Sequence, residues 1–107
     1  MDEELKAIIN YYGLTNQLKK LSEEVYELQE AILLDEGDNK SLHHILEERA
    51  DVEVLLRQLD LYFDINYNDF TGEMVKKVKR QIERIDNENW TKKNGGISKI
   101  LVKIKIS

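Results

Sequence analysis

Hydrophobic residues recur every three or four positions along most of this chain, which is the spacing of amphipathic α-helices. The pattern predicts a short helix from Met1 to Tyr12 and three long helices at about 15–34, 41–62 and 69–87. Glycine, asparagine or aspartate stands between these segments, where helices commonly end and begin. We therefore expect an all-α fold, an antiparallel helical bundle of three long helices plus the short N-terminal helix.

The last residues follow a different pattern. From Lys99 to Ile106, isoleucine or valine occupies every second position, a period of two that predicts a β-strand. A turn at Asn94–Gly96 precedes it. A hairpin with residues 90–93, a strand paired with another subunit and a frayed end all remain open. The expected organisation is a helical domain at 1–90 and a C-terminal tail at 91–107 with a short β-strand or hairpin.

Two of the long helices carry acidic residues beside or inside their apolar stripes. In the helix at 15–34 the stripe contains Leu14, Leu18, Leu21, Val25, Leu28 and Ile32, and it is bordered by Gln17, Lys20, Glu24 and Glu27. In the helix at 41–62 the stripe contains Ile45, Val52, Leu55, Leu56 and Leu59. Glu48 falls inside this stripe of the helix at 41–62, and Asp51 lies at the edge of the stripe. A buried carboxylate has to be paired, protonated or bound to metal, so a solvated face does not explain Glu48.

The acidic residues also form two pairs at helical spacing. Glu24 and Glu27 are three residues apart, and so are Glu48 and Asp51, so each pair points to one side of its helix. The 20 residues between Glu27 and Glu48 are enough to end one helix and start an antiparallel one. The two pairs can then face each other as a four-carboxylate cage. Such hard oxygen ligands suit Mg²⁺ or Mn²⁺.

These residues carry a family resemblance. The segment Gln17–Leu28 (QLKKLSEEVYEL) followed by Glu47–Val52 (EERADV) resembles the MazG-like all-α nucleoside triphosphate pyrophosphohydrolases, whose signature is ExxE, a spacer and ExxD. The resemblance covers about residues 14–90. It implies a MazG-like helical bundle that hydrolyses an NTP or dNTP between the α and β phosphates, giving the monophosphate and pyrophosphate. By the same resemblance, the Mg²⁺ ligands are Glu24, Glu27, Glu48 and Asp51.

Further residues are candidates for catalysis and substrate binding. Glu27 is the first candidate for the proton acceptor, and Glu23 is the second. A triphosphate needs cations beyond its Mg²⁺, and we expect Lys79, Arg80 and Lys20 to supply them. For any one of the basic residues at 69–87, a solvated face is an equally good interpretation. The resemblance also includes Gln17, in the substrate-binding part of the motif.

The helix at 41–62 has a second apolar stripe opposite the first. Leu46, Ala50, Val54 and Leu61 form it. A helix that is apolar on two sides is buried on two sides, and three helices cannot easily wrap it. We therefore expect a homodimer or homotetramer.

The alternative function is a non-enzymatic helical oligomerisation or interaction module that kept the fold without turnover. Such a module has no reason to keep Glu48 in an apolar stripe.

Composition narrows the class of protein. At 107 residues and 41% hydrophobic content the chain supports one domain with a thin core. Cysteine is absent, which excludes disulfides and thiolate metal sites. The net charge of −5 argues against nucleic-acid binding. No apolar run reaches the roughly 20 residues of a membrane span. The acidic start, Met1–Glu4, is unlike a signal peptide, so the expected location is the cytoplasm.

Charge is unevenly distributed between the halves. Residues 1–60 carry 15 acidic and 6 basic side chains, whereas residues 61–107 carry 6 acidic and 10 basic ones. This division suits a site in which one half of the chain holds a metal ion and the other holds phosphate.

Overall fold

The computed structural model describes residues 1–34 and 39–88, with side chains in the second range from residue 42 onward. All regular secondary structure within these ranges is α-helical. The helices are α1 (Asp2–Tyr12), α2 (Leu14–Leu34), α3 (Asn39–Tyr62) and α4 (Tyr67–Asn87). The all-α prediction is confirmed, and each helix boundary lies within about two residues of its expected position. The C-terminal strand or hairpin, predicted within residues 90–107, lies outside the described residues.

The chain divides into two compact units, which we describe separately. The first is Met1–Ile65 and contains α1, α2 and α3. The second begins at Asn66, and its described part is α4. The expectation that residues 1–90 form one helical domain remains a prediction.

One glycine makes the turn between α1 and α2. Gly13 has φ 87° and ψ 154°, a conformation that L side chains rarely adopt, and its N–H donates to the carbonyl of Ile9 at 2.8 Å. Its own carbonyl accepts from the N–H of Gln17 at 3.1 Å. Asn16 lies inside α2, and its amide donates to the carbonyl of Tyr12 at 2.7 Å.

The ends of α3 and α4 follow local side-chain chemistry. Asp64, after α3, adopts φ 53°, which aspartate tolerates better than most residues. Asn66 caps α4, since its side chain accepts hydrogen bonds from the N–H groups of Asn68 and Asp69 at 2.8 and 3.3 Å. These residues end one unit and start the helix of the next.

In the first unit, α2 and α3 pack against each other and α1 packs on both. Contacts across the α2–α3 interface run in opposite sequence directions: Gln17 meets Gln58, and Glu24 lies near Glu48. The two helices are therefore antiparallel, as expected. The buried hydrophobic residues among those described come from α1, α2 and α3 and are Leu5, Ile9, Ala31, Val52 and Leu55. Burying each larger side chain contributes roughly 1.5–3 kcal/mol.

The buried side of α2 is not the centre of its apolar stripe. Leu18, Val25 and Ile32 of that stripe are exposed. The buried residues are instead Gln17, Glu24 and Ala31, which follow each other at intervals of seven along the border of the stripe. The packing thus turns the amide and carboxylate border of α2 toward α3. This rotation places polar side chains at the interface between the two helices.

In the second unit, α4 is amphipathic. Phe70, Met74 and Val78 lie on one side of it and are about half exposed, whereas Ile82 and Ile85 are partly buried. None of the helices in the described ranges is both long enough and apolar enough to span a membrane.

Candidate metal centre and adjoining cavity

Three carboxylates meet where α2 packs on α3. Glu24, Glu27 and Glu48 each contribute one oxygen atom, and these atoms lie within 4.8 Å of one another. Glu24 and Glu27 come from successive turns of α2, and Glu48 comes from the facing turn of α3. These oxygen atoms can hold a metal ion. Three of the four expected ligands are thus brought together.

Burial differs across this carboxylate cluster. Glu24 is 6% exposed, and the side chain of Glu48 is 14% exposed, whereas Glu27 is open to solvent. Glu48 is therefore withdrawn from water, as its position inside the apolar stripe predicted. Removing a carboxylate from water is costly unless a cation or a hydrogen-bond donor compensates it.

Two carboxylate oxygens in the cluster are buried without compensation. Oε2 of Glu24 and Oε2 of Glu48 have no hydrogen-bond partner among the described residues. Buried polar atoms are nearly always satisfied in proteins, so these two atoms need an explanation. A divalent cation explains both, because carboxylate oxygens are the ligands that Mg²⁺, Mn²⁺ and Ca²⁺ prefer.

The electrostatics of the cluster indicate the same need for positive charge. The pKa of Glu27 is raised above its ordinary value, chiefly because a protonated Glu27 can donate a hydrogen bond to Glu24 and because Glu24 is negatively charged. Partial burial and the charge of Glu48 add to the effect. Like charges at close range favour a proton on one of them. A bound cation would reverse this shift and leave all three carboxylates ionised.

Two basic side chains contact the cluster from its own helices. Nζ of Lys20 lies 3.1 Å from Oε1 of Glu24, and this hydrogen bond and ion pair raise the pKa of Lys20. Nδ1 of His44 lies 3.9 Å from Oε1 of Glu48. Each of these carboxylates therefore has one oxygen near a basic group and one oxygen unpartnered.

The remaining acidic candidates lie outside the cluster. Asp51, one turn after Glu48, is exposed and is not one of the three clustered residues. It nevertheless lines the same cavity as Glu24, so its role as a ligand remains a prediction. Glu23 is exposed on α2.

A cavity of about 640 Å³ adjoins Glu24 of the carboxylate cluster. Its volume is within the usual range for small-molecule sites. The wall is formed by α1, α2 and α3 and consists of Ile8, Tyr12, Asn16, Gln17, Lys20, Glu24, Asp51, Val54, Leu55 and Gln58. Gln17 and Lys20, both predicted to bind substrate, lie on this wall together with a cluster carboxylate.

Gln58 is a cavity residue that the sequence analysis missed. It is 1% exposed, and its Oε1 accepts a hydrogen bond of 2.8 Å from Nε2 of Gln17. A signal was present, because Gln58 follows Asp51 by two helical turns and so lies on the same side of α3.

Lys79 and Arg80 lie on α4, in the second unit, and both are exposed. Their contact with phosphate remains a prediction.

No protein-family model, curated protein or solved structure matches this chain.

Proposed function

We propose that this protein is a Mg²⁺-dependent nucleoside triphosphate pyrophosphohydrolase of the MazG-like type. The observation that carries the proposal is the pair of buried, unpartnered oxygens of Glu24 and Glu48. Glu24 also lines a cavity of nucleotide size. The ExxE and ExxD motifs support it, since three of their four acidic residues converge. Water adds to the α or β phosphorus, the bridging P–O bond breaks, and the products are the monophosphate and pyrophosphate.

Each residue has a distinct role in this proposal. Glu24 and Glu48 hold the cation through their free oxygens, with Asp51 as a further ligand. When bound, the cation supplies positive charge to the phosphate oxygens and makes a water molecule more acidic. Glu27 takes the proton from the attacking water, because it is the most exposed of the clustered carboxylates and would be ionised beside the cation. Glu23 is the second candidate for this step.

Cations on the protein neutralise the rest of the triphosphate. Lys20 lies on the cavity wall beside Glu24, where its ammonium group can bind a phosphate next to the cation. We propose that Lys79 and Arg80 also bind phosphate.

The direct test measures pyrophosphate and orthophosphate release from a panel of canonical and modified NTPs and dNTPs, with Mg²⁺, with Mn²⁺ and with EDTA. We expect metal-dependent release of pyrophosphate from at least one nucleotide. Orthophosphate as the sole inorganic product would identify a different bond and refute the assignment. A Glu24→Gln preparation purified in parallel controls for contaminating phosphatases.

The second candidate is a helical assembly module without turnover. The observation that favours it is the exposed apolar row Leu18, Val25 and Ile32 on α2, together with exposed Leu46 and Val54 on α3. A helical assembly module does not explain why the carboxylates of Glu24 and Glu48 are withdrawn from water. Absence of any product across the nucleotide panel, with an intact oligomer, would favour this candidate.

A further inference from the structure

The cavity wall contains a pair of buried amides that metal binding does not use. Nε2 of Gln17 donates a hydrogen bond of 2.8 Å to Oε1 of Gln58 across the α2–α3 interface. Gln17 is 8% exposed and Gln58 is 1% exposed. Both side chains line the cavity that also contains Glu24 and Asp51.

This hydrogen bond satisfies only half of the pair. A glutamine amide has an acceptor oxygen and two N–H donors, so the single bond leaves the oxygen of Gln17, its second N–H and the amino group of Gln58 available. None of these groups takes part in another hydrogen bond among the described residues. A hydrogen-bond acceptor and adjacent donors therefore line the cavity. Rotating both side-chain amides by half a turn reverses the hydrogen bond between them. Gln17 then offers a donor to the cavity and Gln58 offers an acceptor.

The position of the amide pair relative to the carboxylates matches the length of a nucleotide. Gln17 precedes Glu24 by seven residues on α2, and Gln58 follows Asp51 by seven residues on α3. Seven helical residues span about 10 Å. Phosphates held near Glu24 and Asp51 thus leave the opposite end of the ligand close to the amides. Tyr12, which lines the same cavity, offers an aromatic ring beside this end.

We propose that Gln17 and Gln58 bind the Watson–Crick edge of the nucleotide's base. That edge presents a hydrogen-bond donor next to an acceptor, which is the complement of the amide pair, and enzymes that bind an isolated base commonly recognise it this way. This inference rests on the proposed function. It assigns a new specificity-determining residue, Gln58, and explains why two amides occupy a position that apolar side chains could fill.

The recognition also predicts which ligands are rejected. A site that hydrogen-bonds its ligand discriminates strongly against an isostere without those groups, because the protein's own polar atoms are then left unpaired. A base of the right shape without hydrogen-bonding groups should therefore bind poorly. The amide pair accepts either order of donor and acceptor, so this rejection should be stronger than any preference between natural bases.

The experiment uses nucleotides that are not cleaved. Calorimetry with Mg²⁺ compares the α,β-methylene triphosphates of thymidine and deoxyadenosine with their non-polar isosteres, which carry difluorotoluene and methylbenzimidazole as the base. Tripolyphosphate reports on the phosphate site alone. We expect the better natural base to bind at least about 10-fold more tightly than its isostere.

The test variant is Gln17→Met/Gln58→Met, which removes both amides and so leaves no buried polar group unpaired. We expect the ratio between base and isostere to fall to within about 3-fold, with the affinity for tripolyphosphate unchanged. The matched control is Gln29→Met, the same substitution at an exposed position of α2 outside the cavity. It should keep the wild-type ratio.

Several results would overturn the inference: a wild type that does not distinguish base from isostere, a ratio that persists in the double variant, an equal loss of affinity for tripolyphosphate, or no binding at all. If the double variant does not fold, the inference is tested on the wild type through the NMR resonances of the side-chain amides of Gln17 and Gln58. They must shift with the natural base and not with its isostere. Base discrimination without pyrophosphate release would refute only the proposed function, and release without discrimination would refute only this inference.

Discussion

Nζ of Lys20 lies 3.1 Å from Oε1 of Glu24, so an exposed ammonium group is the partner of a buried carboxylate. The pair is formed one turn apart on α2. It gives Glu24 a positive neighbour on one oxygen while the other oxygen stays unpartnered. A metal ion and Lys20 therefore compete for the same carboxylate.

Replacing Lys20 should affect metal and nucleotide in opposite directions. In Lys20→Gln the cluster loses a repelling positive charge, so Mg²⁺ alone should bind as tightly as in the wild type or more tightly. The nucleoside triphosphate should bind more weakly, by about 10-fold, because a charged contact to phosphate is lost. Calorimetric titration of each ligand measures both effects, and Lys19→Gln on the exposed side of α2 is the control. Weaker binding of both ligands would contradict the competition.

Removing one carboxylate of the site should abolish turnover without unfolding the protein. We expect at least about 100-fold lower kcat for Glu24→Gln, Glu48→Gln and Asp51→Asn, with the helical circular-dichroism signal unchanged. The stability of the metal-free protein should hold or rise, since a repelling charge is removed. The control is Glu47→Gln, next to Glu48 in sequence and paired with His43 on the outside of α3. Normal turnover in all three variants would mean that the carboxylates do not form a catalytic site.

Metal binding should stabilise the fold even without nucleotide. A ligand that binds only the folded state at 100 times its dissociation constant adds roughly 2.7 kcal/mol of stability. The melting temperature of the wild type should therefore rise with Mg²⁺ and return to its starting value with EDTA. Glu48→Gln should lose most of this rise, whereas Glu47→Gln should retain it. An identical rise in both variants would point to nonspecific salt effects.

The ion pairs on the outer face of α3 predict a dependence of stability on pH. The pKa of Glu53 is lowered, chiefly by its hydrogen bond with Arg49, and Arg57 also lowers it. The stabilisation is therefore complete above the pKa of Glu53 in the unfolded chain, and it disappears as the pH falls through the lower pKa of the folded state. For pairs this exposed, the contribution is less than about 1 kcal/mol.

Thermal melts of the wild type and Glu53→Gln at pH 6 and pH 3 measure this contribution. The wild type should be the more stable at pH 6, and the difference should shrink at pH 3. Glu83→Gln, at an exposed position of α4, is the control for an altered net charge. A stability difference between wild type and variant that grows on acidification would contradict the prediction that ionised Glu53 stabilises the fold.

The exposed apolar side chains of α3 predict an oligomer. Leu46 is 58% exposed and does not line the cavity, so Leu46→Lys separates assembly from ligand binding. A lysine there costs the folded monomer little, but it would bury an unpaired charge in an interface. Sedimentation should show a homodimer or homotetramer for the wild type and a smaller species for the variant. Tyr11→Lys, at an exposed position of α1, is the control. A monomeric wild type at micromolar concentration would refute the prediction.

The sequence by itself determined the helices and the direction of their side chains. Hydrophobic periodicity is a local property, so it located α1 to α4 to within about two residues. The spacing of three residues placed Glu24 and Glu27 on one side of α2 for the same local reason. The position of Glu48 within an apolar stripe also predicted its burial, because a side chain on the packed face of a helix is covered whatever its chemistry.

Tertiary structure alone decided which border of each stripe is covered. The sequence of α2 predicts that the leucine and valine residues at the centre of its apolar stripe are buried. In the structure the border with Gln17, Glu24 and Ala31 is buried instead, and Val25 is exposed. Periodicity fixes the angles between side chains on one helix, but the rotation of that helix is set by the shape of its partners. That rotation brings Glu48 to the pair on α2, leaves Asp51 at the cavity wall, and joins Gln58 to an amide 41 residues away. Contacts between residues so distant in sequence depend on how whole helices pack, which no local pattern encodes.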